Sequence, residues 1–136
     1  MNVTNQVHPS PEQAKAFFSS EDDGPMCMVN LLKFKDKAEY ADGSEPELSG
    51  REAYMRYGAG VQACLAAVGG TARFTGIVTD LMLGDVEDLW DMVAIAEYPL
   101  RAAMLQMIQS SEYQAITKHR DAGLAGQLNI RTKAIG

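Results

Sequence analysis

The sequence predicts an α+β domain in which helices cover one face of a four-stranded antiparallel sheet. Three observations carry that reading. Met26–Lys35 and Trp90–Tyr98 are apolar at successive positions, as strands buried on both faces are. Gly50–Val68 repeats Tyr54, Tyr57, Val61, Leu65 and Val68 at spacings of three and four, which marks one face of a helix. Between such runs lie clusters of Gly, Pro and acidic residues at Glu21–Pro25, Gly69-Gly70 and Gly84–Leu89, where strand and helix patterns stop.

The elements follow in order. Ser10, Pro11 and Gln13 form a Ser-x-x-Gln start with Pro in the first turn, so a helix is expected from there to about Ser20. The first strand occupies Met26–Lys35. Asp36–Ser49 is polar, rich in Asp, Glu, Gly and Pro, and long enough to be either a functional loop or a mobile one. The helix Gly50–Val68 carries Gly58 and Gly60 in its middle, where each costs about 1 kcal/mol relative to Ala; a close neighbour or a bend is expected there. Thr71–Leu83 alternates imperfectly and reads as a long strand with a bulge at Gly76. After the Gly84–Leu89 hairpin loop comes the Trp90–Tyr98 strand. Pro99 opens a helix with Leu100, Met104, Met107 and Ile108 on one side, and Ser110-Ser111 restarts it with Tyr113, Ile116 and Arg120 aligned. Gly123 ends it, and Gln127–Ile135 is the last strand, where Arg131 and Lys133 point the same way, as charges on an edge strand often do.

After an extra N-terminal arm and helix over 1–24, the order over 25–136 is β-α-β-β-α-β, the ferredoxin-like arrangement. Two helices can cover only one face of such a sheet, yet the first and third strands are apolar on both. A second copy of the chain, packed sheet to sheet, is the simplest cover, so a homodimer is expected.

Composition removes other classes. Twelve basic and eighteen acidic residues give a net charge of −6 with no basic stripe, which sets nucleic acid aside. No apolar run approaches the roughly 20 residues that span a bilayer. The polar stretch Met1–Pro9 lacks a signal-peptide pattern, so a cytoplasmic location is expected, with Cys27 and Cys64 as free buried thiols. Two histidines without metal-site spacing argue against a His-based metal centre, and neither a phosphate loop nor a nucleophile elbow occurs, so no cofactor is expected.

An ordered set of short stretches carries a family resemblance. Met28-Val29-Asn30-Leu31-Leu32-Lys33-Phe34, Ser49-Gly50-Arg51-Glu52-Ala53-Tyr54 with Tyr57, Gly69-Gly70, Trp90-Asp91, Glu97-Tyr98-Pro99, Glu112-Tyr113-Gln114, His119-Arg120 and Ala122-Gly123-Leu124 together resemble the domain-of-unknown-function 1330 family, over roughly Met26 to Ile135. The resemblance implies a dimeric α+β barrel made of two ferredoxin-like protomers, with a pocket in each between sheet and helices. Its wider superfamily includes cofactor-free monooxygenases, muconolactone-type isomerases and haem enzymes. Leu100 departs from the pattern, which has a capping Ser there, and so does Ser110-Ser111-Glu112.

Candidate site residues are polar side chains set in apolar elements. Asn30 must be hydrogen-bonded if buried, so it either fixes the strand or lines a pocket. Glu97 invites a cationic partner, Arg73 or Lys33, and is a candidate acid or base alongside His119. His119 is equally suited to the last turn of a helix, and Arg120 to a salt bridge or to a substrate carboxylate. Tyr54 and Tyr57 belong to the core with hydroxyls free to reach polar partners. Two readings follow: a cofactor-independent enzyme on a small apolar or aromatic acid or carbonyl compound, using His119 and Glu97 with Asn30, Tyr54, Tyr57, Arg73 and Arg120, or a non-catalytic binding or assembly module.

Overall fold

A computed structural model describes residues 1–136. Its elements are α1 (Pro11–Phe18), β1 (Met26–Phe34), α2 (Gly50–Ala67), β2 (Thr71–Ile77), β3 (Met92–Tyr98), α3 (Arg101–Gln109), α4 (Ser111–Gly123) and β4 (Leu124–Thr132). The sheet order is β2-β3-β1-β4 with every pairing antiparallel. This is the ferredoxin-like arrangement, an open sheet with β2 and β4 at its edges and α1 added before it. No helix is long and apolar enough to cross a membrane.

Strand register explains where the core sits. Side chains alternate between sheet faces, and on β1 the buried ones are Met26, Met28 and Leu32. Their partners on β3 are Tyr98, Ala96 and Met92, and these residues pack against Cys64, Leu65, Met107, Tyr113 and Tyr54 from the helices. The alternate set faces away. Leu31 stands opposite Val93 and Leu128, and Val29 opposite Ile95 and Ile130. None of these six is buried, and Phe74 beside them is also exposed. The second face of the sheet is thus apolar and carries no helix.

The helices are placed by caps and close approaches. Ser49 and Glu52 form a full capping box at the start of α2, whereas Ser10 makes only its own half, accepting from the Gln13 amide. Leu100 offers α3 no capping side chain; instead Asp23 Oδ1 accepts from the Arg101 amide at 2.9 Å, a cap supplied from another part of the chain. The buried Arg101 side chain donates to the carbonyls of Phe17 and Asp22 and stacks 4.5 Å from the Phe17 ring, which fastens α1 to α3. The start of α2 meets the end of α4 backbone to backbone: a Cβ on Gly123 would stand 2.4 Å from the Gly50 carbonyl oxygen. At Gly60 a Cβ would stand 2.9 Å from the Ile116 side chain, the close neighbour expected mid-helix, whereas at Gly58 it would meet open space.

Several boundaries differ from the expectation. β2 ends at Ile77, not Leu83, because Leu81, Met82 and Leu83 pair with no strand and project into solvent. Its irregularity lies between Ala72 and Phe74 rather than at Gly76. β4 begins at Leu124, directly after α4, and ends at Thr132. It is an edge strand, and Arg131 and Lys133 do point the same way, both reaching Asp22. Their charges, Lys133 first, hold the Asp22 carboxyl below the ordinary value. The loop between β1 and α2 is folded onto the helices: Ala38 is buried, its amide bonds the Leu48 carbonyl, and Glu39 bonds the Ala122 carbonyl.

Candidate functional site

Between the helical face of the sheet and the helices lies an open-mouthed cavity, part of a connected space of about 1160 Å³ whose lining also takes in Ile95, Leu128 and Ile130 of the other face. Its walls are mainly apolar: Met28 and Met92 from the sheet, Val61 and Leu65 from α2, Met104, Met107 and Ile108 from α3, and Phe17 from α1. The N-terminal arm, Thr4 to Pro9, runs along its mouth. Such a volume exceeds the roughly 300–1,000 Å³ of ordinary small-molecule sites, which are mostly apolar with a few polar groups that orient the ligand.

Three polar side chains of the lining form one directed chain. Asn30 lies on the helical face of β1, between Met28 and Leu32, and donates to the Ala94 carbonyl at 3.1 Å. Its Oδ1 accepts from Gln127 Nε2 at 2.6 Å. Gln127 Oε1 in turn accepts from Arg120 at 2.6 Å, and the same Arg120 nitrogen donates to the Val7 carbonyl at 2.5 Å. Gln127 comes to this face because odd-numbered residues of β4 stand opposite even-numbered residues of β1.

Aromatic rings complete the wall. Tyr54, Tyr57 and Tyr113 stand in sequence, with centroids 5.2 and 5.9 Å apart and the Tyr57 and Tyr113 hydroxyls 2.9 Å from each other. Burial pushes the Tyr54 phenol up to about 12, and burial with the nearby Tyr113 pushes Tyr57 well above its ordinary value. These hydroxyls therefore remain protonated near neutral pH. The nearby Arg120 charge opposes both shifts, which places its positive field on the same hydroxyls.

The remaining candidates lie elsewhere. His119 does not line the cavity. Its Nδ1 stands 2.7 Å from the Tyr40 hydroxyl, with the rings edge to face, on the loop that covers the helices. Arg56 reaches the same hydroxyl and forms a two-pronged bond with Glu45. Burial first, then the Lys118 and Arg56 charges, lower the His119 pKa. Glu97 projects on the far face of the sheet, where Arg73 pairs with it. The structure thus brings Asn30, Tyr54, Tyr57 and Arg120 to one cavity and sets His119, Glu97 and Arg73 apart from it. No group of three His, Cys, Asp or Glu side chains converges as a metal site would require.

The domain of unknown function family DUF1330 matches residues 43–132. The chain belongs to this family. The DUF1330 protein is 32% identical to a protein of unknown function from Rhodopseudomonas palustris, with a TM-score of 0.86 over 98% of this chain and 99% of that one. The methylated form of that protein matches at 33% identity and a TM-score of 0.88, over 98% of each chain. A dimeric protein of unknown function and ferredoxin-like fold from Bacteroides fragilis shares 11% identity, with a TM-score of 0.52 over 82% of this chain and 97% of that one. At that identity the likeness shows the fold alone. No curated protein matches the sequence.

Two residues of this DUF1330 cavity escape a reading of the sequence. Gln127 looks like an ordinary polar residue on an edge strand; the signal that finds it is register, since polar Gln127, Asn129 and Arg131 share the face of Asn30. Val7 packs its side chain against the Leu32, Tyr54, Met92 and Leu124 cluster and offers its carbonyl to Arg120, and its residue type gives no hint of the second role.

Proposed function

We propose that this protein binds a small, mainly apolar or aromatic molecule with one polar end, inside the cavity between sheet and helices. The observation that carries the reading is the continuous hydrogen-bonded chain Asn30–Gln127–Arg120 along a mainly apolar cavity of about 1160 Å³. Eight methionines give the chain adaptable packing, and Met28, Met92, Met104 and Met107 all line this wall. Binding is favoured over proton transfer because the phenols are held protonated by burial and Arg120 is a permanent cation. The wall around Asn30 and Arg120 thus offers mainly donors, the Asp121 carboxylate and His8 being engaged with each other, and His119 has no part in this reading.

The functional unit in the same reading is a homodimer joined through the open sheet faces. Val29, Leu31, Val93, Ile95, Leu128 and Ile130 form a contiguous apolar surface, and a self-complementary pairing covers it on both copies at once. The Bacteroides fragilis protein of the same fold is dimeric.

The binding reading is tested with N-phenyl-1-naphthylamine, a neutral dye that fluoresces in apolar surroundings. Saturable binding with one site per chain, weakened by Met104→Lys on the cavity wall, is the expected result. A flat titration would remove the reading.

A further inference from the structure

We infer that the ligand of this cavity is a monocarboxylate with an apolar body, and that its carboxylate takes the place on Arg120 now held by the Val7 carbonyl. This rests on the reading of the cavity as a binding site and names the class of molecule it accepts.

Arg120 has only 15% of its side chain exposed. A cation so placed is ordinarily matched by a buried anion. Its two short bonds instead go to neutral oxygens, those of Val7 and Gln127. The one carboxylate it meets is Asp121, at 3.3 Å, which is half exposed and also stands 3.2 Å from His8. Arg120 therefore retains positive charge at the polar end of the cavity. Its planar fork suits a carboxylate, which receives two parallel bonds where a carbonyl receives one.

The charge of the lining points the same way. The chain carries −6 overall, yet Asp121 is the only acid that lines the cavity, against Arg120 and the exposed Lys15. An anion is thus attracted into this site by a protein that otherwise repels it. A cationic head would face Arg120 and find only the Asp121 carboxylate, which Arg120 and His8 already share.

The arm is held lightly through its backbone, while the Val7 side chain packs against the Leu32, Tyr54, Met92 and Leu124 cluster. Among its backbone groups, Gln6 makes one isolated bridge to Gln127, at 3.3 Å, and Val7 is held by Arg120. Losing the Arg120 bond costs the Val7 carbonyl little, because at the mouth it turns to water. The exchange has a built-in reporter: Trp90, the single Trp of the chain, donates from Nε1 to Asn5 at 2.9 Å, two residues before Val7.

The experiment displaces N-phenyl-1-naphthylamine from the full-length protein with octanoate, octanol and octylamine. A charge-assisted bond in a largely buried site raises affinity roughly 10- to 100-fold. Octanoate should therefore displace the dye at a correspondingly lower concentration than octanol, with octylamine weakest. Arg120→Gln should bring octanoate to the level of octanol, and Arg120→Lys should restore part of the gap. Octanoate, and not octanol, should shift the Trp90 emission. Equal displacement by octanoate and octanol from the unaltered protein overturns the carboxylate inference while the cavity still binds. A carboxylate preference without any Trp90 shift overturns the exchange with Val7. Failure of the dye to bind removes the cavity reading and the inference with it.

Discussion

Gln127 Nε2 stands 2.6 Å from Asn30 Oδ1, diagonally across the β1–β4 ladder, and so joins a strand interior to the helix-borne Arg120. Removing one partner leaves a half-buried amide without its bond. Asn30→Leu should therefore cost about 1–3 kcal/mol in urea unfolding. Asn30→Leu combined with Gln127→Leu should cost less than the sum of the two single changes, because the second removes the group the first strands. Strict additivity would show that the two amides do not act together.

Glycines in the helices make a contrast within one chemistry. Gly123→Ala would drive a methyl group into the Gly50 carbonyl and the Tyr54 amide, both backbone, so neither can turn aside. A loss of about 3 kcal/mol or more is expected. Gly58→Ala meets nothing within 4 Å and should gain about 0.5–1 kcal/mol from helix propensity. Gly60→Ala meets the Ile116 side chain, which can shift, and should fall between them. Thermal melts of the three variants check the order; a Gly123→Ala protein as stable as the parent would deny the backbone contact of α2 and α4.

The order of elements was legible because burial imprints itself on residue spacing. The period of Tyr54, Tyr57, Val61 and Leu65 is that of a helix facing the core, and all four do pack there. Leu81, Met82 and Leu83 are apolar yet lie exposed in a loop, so apolar character alone does not mark where β2 stops pairing. The candidate site was legible only in part. Asn30 stood out as polar among apolar neighbours. His119 and Arg120, being adjacent, look like a pair in the sequence, yet successive helical residues point about 100° apart. Arg120 consequently enters the cavity while His119 turns to Tyr40. Gln127 and the Val7 carbonyl became visible only through register and chain path.

His119 makes stability depend on pH. Its imidazole is held below the ordinary value of 6.5, chiefly by burial. The unfolded chain then takes up the proton first, so stability from this group is complete above about pH 6.5 and declines as pH falls from there toward the lowered native value. His119→Gln should flatten the melting temperature over that interval while leaving octanoate binding unaltered, since His119 is outside the cavity. An undiminished slope in the variant would assign the effect to another group.

Leu31 is the sharpest test of the assembly. It stands between Val93 and Leu128 at the centre of the open sheet face, and its side chain belongs to no core cluster. Leu31→Glu therefore spares the protomer's own packing. In a sheet-to-sheet dimer it would bury an unpaired carboxylate from each copy, which costs roughly 3–5 kcal/mol, or more than about 100-fold in Kd. Light scattering at micromolar concentration should give the parent protein twice the 14.8 kDa chain mass and the variant close to 14.8 kDa. A charge at Glu97 makes a useful comparison, because that carboxylate already pairs with Arg73 at one side of the same face. Glu97→Gln should weaken the dimer far less than Leu31→Glu, because the Arg73 charge it leaves unpaired is on edge strand β2, where its side chain is 57% exposed in the protomer. If the parent protein runs as a clean monomer, the face must be covered in some other way, and the dimer is abandoned.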